Sequence, residues 1–323
     1  MNWCAMAAAL IGGLVLAAPQ GRAAEYPARA IKLIVPYPAG GPTDVLGRMV
    51  GEYLSRDLKQ PVVIENKAGA QGAIGADAVA HAEADGYTLL FTASSVLELN
   101  PMLYKKLSYD PERELWVLAI VTDLPGIMIV HPSVPAQSIA DFVVYAKQNP
   151  GKLNFGSAGT GGVGHLSGEI FKLMAGIEMI HVPYKGAGPA LADVISGHIQ
   201  ATFETLGTAL PPINAGLLRP LGATSPERIA DLPDLPTIAE SGYPGFYADA
   251  WSGLFAPRGT PRAVVDKLAG EVQRILRLPD VRERFAGLGA EPVGSTPAEF
   301  AAHVRREIDK WARVVKASGA KVD

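Results

Sequence analysis

Short apolar runs alternate with amphipathic stretches along this chain, and loops rich in glycine and proline join one to the next. Runs of five or six residues rich in Val and Ile predict strands, whereas apolar residues three or four apart predict helices. A strand–loop–helix unit that keeps recurring needs a largely parallel sheet with helices on its faces. The first half reads strand Ile31 to Pro36, helix Val45 to Leu58, strand Pro61 to Glu65, helix Ile74 to Ala84 and strand Tyr87 to Thr92. The pattern then restarts. Leu115 to Val130 is apolar but broken at Thr122-Asp123-Leu124-Pro125-Gly126, where the chain is expected to cross to a second half. That half reads helix from Ser138, strand Leu153 to Ser157, helix His165 to Ala175, strand Glu178 to Pro183, helix Pro189 to Ser196 and strand Gln200 to Glu204. Strands are expected at Leu217 to Thr224 and Trp251 to Ala256, one or both carrying the chain back, and two C-terminal helices follow. The second of these opens on Thr296-Pro297-Ala298-Glu299, a capping box with proline at the first helical position. The predicted fold class is α/β. One lobe takes residues 25–122 plus about 225–323 and the other takes 123–224, with the return crossing between 220 and 255. A cleft between two such lobes favours a ligand.

The N-terminus is read separately. Ala5 to Ala18 is an apolar run of about 14 residues, short of the roughly 20 needed to span a bilayer. Small residues then lead to Gly21-Arg22-Ala23-Ala24, which resembles a cleavage site, so residues 1–24 are expected to be a signal peptide and the protein periplasmic. No Lys or Arg precedes the apolar run, a departure from the usual leader. Composition narrows the function. With 48% hydrophobic residues and 19% charged, the chain is no disordered segment. A net charge of −3 is not that of a nucleic-acid or anionic-membrane binder. The single cysteine, Cys4, can build neither an internal disulfide nor a cysteine-ligated metal site.

Three strand–loop–helix junctions carry the chemistry: Ala39-Gly40-Gly41-Pro42-Thr43-Asp44, the five-glycine loop Gly156 to Gly164, and Tyr184-Lys185-Gly186-Ala187-Gly188-Pro189. Glycine lets backbone approach a ligand, and proline at the first helical turn wastes no N–H. Such helix starts can hold an anion. The plain alternative is a tight turn whose Thr43 or Asp44 caps the helix. No junction ends in Gly-Lys-Ser/Thr, so phosphate transfer is not expected. Gly159-Thr160-Gly161-Gly162-Val163-Gly164 only loosely resembles a dinucleotide fingerprint. Gly156-Ser157-Ala158-Gly159 is not a nucleophile elbow, although Ser157 with His165 or His181 leaves a serine hydrolase as an alternative. His181 lies within an apolar strand and reads first as a core or edge histidine. The six histidines form no zinc motif. No cofactor and no metal are expected.

Several segments, in this order and spacing, resemble the substrate-binding proteins of tripartite tricarboxylate transporters, the Bordetella uptake gene or Bug family. They are Ile34-Val35-Pro36-Tyr37-Pro38-Ala39-Gly40-Gly41 with Thr43-Asp44, Val63-Ile64-Glu65-Asn66-Lys67, and Asp85-Gly86-Tyr87-Thr88-Leu89-Leu90. Further on come Asn100-Pro101-Met102-Leu103-Tyr104, Gly156-Ser157-Ala158-Gly159, His181-Val182-Pro183-Tyr184-Lys185-Gly186 and Trp251-Ser252-Gly253-Leu254. The resemblance runs from about Tyr26 to the C-terminus. It implies a type II periplasmic binding protein fold that closes on a small organic carboxylate, with loops Tyr37 to Asp44 and Gly156 to Gly162 gripping it from both sides. It also implies membrane permease subunits as partners, or, in an alternative role, a sensor-kinase ectodomain.

On that basis Ala39, Gly40, Gly41, Ser157, Ala158, Gly159, Thr160 and Gly161 are expected to hold one carboxylate through N–H groups and hydroxyls. Thr43 and Asp44 would fix the loop, and Tyr37 would wall the pocket. Ser94, His165 and Glu204 would read the rest of the ligand. Two positions depart from family habit. Glu204 stands where many members carry Asp, and Ser94-Ser95 replaces a Thr/Gly/His-rich stretch.

Overall fold

A computed structural model of the protein describes residues 26–319 and 321, so the expected leader lies outside the described residues. Two mixed sheets divide the strands. The first holds β1 (Ile31–Val35), β2 (Val62–Asn66), β3 (Thr88–Ala93), β4 (Leu115–Leu124), β10 (Ala250–Pro257) and β11 (Glu291–Pro292), in the order β11-β4-β10-β3-β1-β2. The second holds β5 (Gly126–Val130), β6 (Leu153–Ser157), β7 (Met179–Pro183), β8 (Ala201–Thr205) and β9 (Arg219–Ala223), in the order β7-β6-β8-β5-β9. Parallel pairing is confined to β2-β1-β3 and β7-β6-β8. The parallel pairing expected from the alternation therefore joins only three strands of each sheet. Each sheet also takes in strands at the crossings, which run the other way: β10 is antiparallel to β3 and β4, and β5 to β8 and β9.

The outward crossing is one residue long. β4 ends at Leu124, Pro125 has no N–H for either ladder, and β5 begins at Gly126. A Cβ on Gly126 would lie 2.5 Å from Thr224 Oγ1, so only glycine lets the returning segment pass. Asp249, at the far end of that segment, accepts from Thr224 Oγ1 at 2.7 Å and from Gly126 N at 3.2 Å, which ties both crossings together.

Each sheet is covered on both faces because its helices bury one stripe. Helices α1 (Pro42–Leu58), α10 (Arg262–Ile275) and α11 (Pro279–Ala286) close one face of the first sheet with Met49, Leu54, Leu268 and Phe285. Helix α2 (Ala73–Ala80) and the start of α12 (Pro297–Ser318) close the other with Val79 and Phe300. In the second sheet α6 (Ile139–Gln148) and α7 (Val163–Ala175) pack on one face, and α8 (Ala187–Ile195) and α9 (Leu206–Asn214) on the other. Short helices α3 (Ser95–Glu98), α4 (Asn100–Leu103) and α5 (Pro111–Glu114) follow β3.

Three helices, not two, follow β10. The extra one, α11, buries only Val281 and Phe285, too few apolar positions to announce itself in sequence. The capping box forms as read: Thr296 Oγ1 accepts from Glu299 N at 3.2 Å, and Glu299 Oε2 accepts from Thr296 N at 2.8 Å. From there α12 reaches across both units. Phe300 and Val304 pack with the first sheet, whereas Trp311, Val314 and Val315 join the core over the second.

Candidate functional site

Two helix starts with matching geometry organise the site. Helix α1 begins behind Gly41 (φ −73°, ψ 165°) and α7 behind Gly162 (φ −74°, ψ 165°), and neither has a side-chain cap. The first-turn amides of Thr43, Asp44, Val163 and Gly164 thus have no intrahelical acceptor. They point outward at the positive end of each helix dipole, where an anion is favoured.

Loop 37–44 is braced by one carboxylate. Asp44, 1% exposed, accepts from Gly40 N at 2.8 Å, Arg48 Nε at 2.8 Å and Asn66 Nδ2 at 2.7 Å. Asn66 Nδ2 also donates to the Tyr37 carbonyl at 3.0 Å, and an Arg48 nitrogen donates to Asn66 Oδ1 at 2.9 Å. Burial works to raise the Asp44 pKa, but the bonds from Arg48, Gly40 and Asn66 outweigh it and hold the acid below the usual range. Asp44 therefore fixes the loop as an anion. Tyr37 places its hydroxyl 3.2 Å from Ser95 Oγ, and burial raises its pKa, so it stays a neutral donor. Ser94 Oγ is fully buried and has no hydrogen-bond partner among the described residues.

Loop 157–164 is braced by neutral imidazoles instead. Ser157 Oγ lies 2.7 Å from His181 Nε2, donates to the Gly159 carbonyl at 3.0 Å and accepts from Gly159 N at 3.2 Å. His165 Nδ1 accepts from Gly161 N at 2.9 Å, and its ring stacks on that of His181 at 3.8 Å between centroids. Burial and the adjacent His165 push the His181 pKa down to about 3, and burial also lowers that of His165. Both rings are neutral supports. A base as weak as His181 is poorly matched to neutral pH.

These partners correct one expectation. The amides of Gly40, Gly41, Gly159 and Gly161 were assigned to the ligand, but each already donates within its loop, to Asp44, Pro38, Ser157 and His165. Glycine serves there for shape: Gly40, Gly159 and Gly161 have φ of 83°, 148° and 81°, which L residues rarely adopt. The amides of Ala39, Ala158 and Thr160 make no such bond among the described residues and join the helix-start donors.

Glu204, 8% exposed at the end of β8, completes the second side. Its Oε1 lies 3.3 Å from Thr202 Oγ1, which is itself 2.9 Å from the Gly156 carbonyl. Burial, only partly offset by Thr202, raises the Glu204 pKa to about 7. Sequence reasoning missed Arg48, Asn66 and the bracing role of His181; Asn66 and His181 stand within motifs it quoted. It also missed Gln71, whose Nε2 donates to the Thr160 carbonyl across the two units.

Two other features lie off this site. A cavity of about 610 Å³ is lined by Glu98, Met102, Lys105, Tyr109, Glu112 and Ile308, with no residue of either loop. Glu98, His303 and Glu307 bring possible ligand atoms within 4.8 Å of one another. There Lys310 Nζ pairs with Glu307, and Trp251 Nε1 donates to Glu98 at 2.7 Å, so the chain itself supplies the countercharge.

Comparison with known proteins identifies the family. Residues 46–320 match the family model described as tripartite tricarboxylate transporter family receptor. Protein BugT of Bordetella pertussis is 39% identical over 308 residues, 95% of this chain and 94% of BugT. The structure of R. palustris Rpa4515 with adipate has a TM-score of 0.84 at 37% identity, covering 92% of this chain and 99% of that one. MatC from Rhodopseudomonas palustris with bound malate has a TM-score of 0.79 at 34% identity, covering 90% and 100%.

Proposed function

The chain belongs to the tripartite tricarboxylate transporter receptor family, whose members are periplasmic solute-binding proteins, and from that premise we propose that it captures a small dicarboxylate between loops 37–44 and 157–164. The observation that carries this reading is the pair of glycine-led helix starts whose first-turn amides lack side-chain caps. One carboxylate sits on the amides of Thr43, Asp44, Ala158, Thr160 and the start of α7. Tyr37, Ser94 and the Glu204 carboxyl meet the far end. Adipate and malate, named with the structures of two relatives, set the size class.

The ligand favours the closed arrangement of the lobes, and a permease reads that closure. The protein reaches the periplasm by its leader and catalyses nothing; its serine is a brace for the glycine loop. Thermal unfolding of the full chain against a panel of C4–C7 acids tests the reading. An acid at a hundred times its dissociation constant should add about 2.7 kcal/mol. A panel in which monoamines or sugars stabilise and no acid does would reject it.

A further inference from the structure

The segment joining β2 to α2 has a backbone conformation that L residues rarely adopt. Gly69, Ala70, Gln71 and Gly72 follow one another at φ of 134°, 45°, 52° and 87°. Two successive non-glycine residues in the left-handed region are costly, and such strain is kept where the surroundings over-determine it, commonly at functional positions. Here the surroundings are specific. Asn100 Nδ2 donates to the Gln71 carbonyl at 3.2 Å and lies 3.4 Å from Tyr109 Oη, which donates to the Val96 carbonyl at 2.7 Å. A Cβ on Gly72 would lie 2.7 Å from Val96 and 3.3 Å from the Tyr37 hydroxyl, so the turn is wedged against loop 37–44.

The product of this arrangement is one projecting side chain. Gln71 leaves the first unit and donates from Nε2 to the carbonyl of Thr160, in the glycine loop of the second. We propose that Gln71 is a cross-cleft latch: the strained turn aims its carboxamide so that it engages the Thr160 carbonyl only when the lobes close, and so sets how long a captured ligand stays. This rests on the reading of the two loops as the ligand site. A latch made only in the closed form slows opening and leaves encounter nearly untouched, so its effect falls on dissociation.

Gln71→Gly is the informative variant because glycine accepts the left-handed backbone. It should raise the melting temperature, by relieving strain, while dissociation of bound adipate or malate quickens about 2- to 10-fold, the worth of one hydrogen bond, with association changed less than twofold. A merely structural role would move stability and dissociation in the same sense. Unchanged dissociation from Gln71→Gly overturns the latch.

A second measurement needs no ligand, because a covalent reagent traps the pair whenever the lobes transiently close. In the full chain carrying Cys4→Ser, Gln71→Cys and Thr160→Cys, a short bis-methanethiosulfonate should join the two positions within one molecule. If the pair is not joined, the latch is wrong whatever the ligand. If it is joined but neither acid binds the unmodified protein, the cross-cleft contact stands and the choice of acid is wrong.

Discussion

Replacing Glu204 by glutamine isolates a buried carboxyl whose proton the fold retains. The group shifts from 4.5 to about 7 because it is buried in β8 with Thr202 as its hydroxyl neighbour. Thr202 Oγ1, which lies within reach of both the Gly156 carbonyl and Glu204 Oε1, offsets that burial only in part. A raised acid holds its proton more tightly folded than unfolded. Its stabilisation is complete below the unfolded value of 4.5, fades as pH climbs, and is gone above about 7. At about 1.4 kcal/mol per unit, some 3 kcal/mol is lost across that window. Glutamine keeps the shape of the side chain and cannot ionise. Urea unfolding of wild type and Glu204→Gln at pH 4.5, 6 and 8 should therefore show near-equal stabilities at pH 4.5. At pH 8 the variant should lead by about 3 kcal/mol, with m unchanged. Wild-type affinity for a dicarboxylate should fall as pH passes 7, and that of the variant should stay level. A stability difference of the same size at all three pH values would refute the reasoning.

Asp44→Ala should cost about 1–3 kcal/mol in urea unfolding, since it leaves the Gly40 amide and Asn66 Nδ2 without their acceptor while the half-exposed Arg48 turns to water; because the native pKa is lowered, the wild-type advantage holds above the normal carboxylate range and disappears as pH falls through the folded value. Gly168→Ala should destabilise by about 1–3 kcal/mol in the same assay, as its Cβ would lie 2.2 Å from the buried Phe155 ring. Ala70→Gly should stabilise by up to about 1 kcal/mol, because φ of 45° is strained for alanine, and calorimetry would show it as a higher Tm.

The alternation of strand and helix was legible because each element is locally consistent. Ile31 to Val35 is apolar enough for a sheet buried on both faces, and Val264 to Leu276 keeps one helical stripe. The mixed direction of each sheet was not legible, since it depends on where β10 and β5 insert, and insertion is a long-range choice. α11 and the short helices after β3 bury too few residues to leave a period. At the site, the loops and Asp44 could be read from glycine, proline and a first-turn acid. Which amides remain free could not, because Gly40 and Gly161 lose theirs to side chains four residues on. Gln71 stayed hidden because an ordinary residue in a left-handed turn carries no sequence mark.

The two loops solve one problem with opposite means. A loop that must present bare amides to an anion has to be held by something, and a carboxylate brace sets a negative charge beside the ligand. Loop 37–44 accepts that cost and cancels it with Arg48, whose guanidinium sits on Asp44 and faces solvent on its other side. Loop 157–164 avoids it: His165 and His181 brace without charge, and burial keeps them neutral. Neither loop then offers a full charge to the ligand, so attraction falls to helix ends and peptide dipoles, worth about 0.3–1 kcal/mol each and up to about 2 when partly buried. An arginine in either loop would bind the anion harder and release it more slowly. For a receptor that must hand its cargo on, amide recognition with a separate neutral latch lets capture and residence be set by different residues.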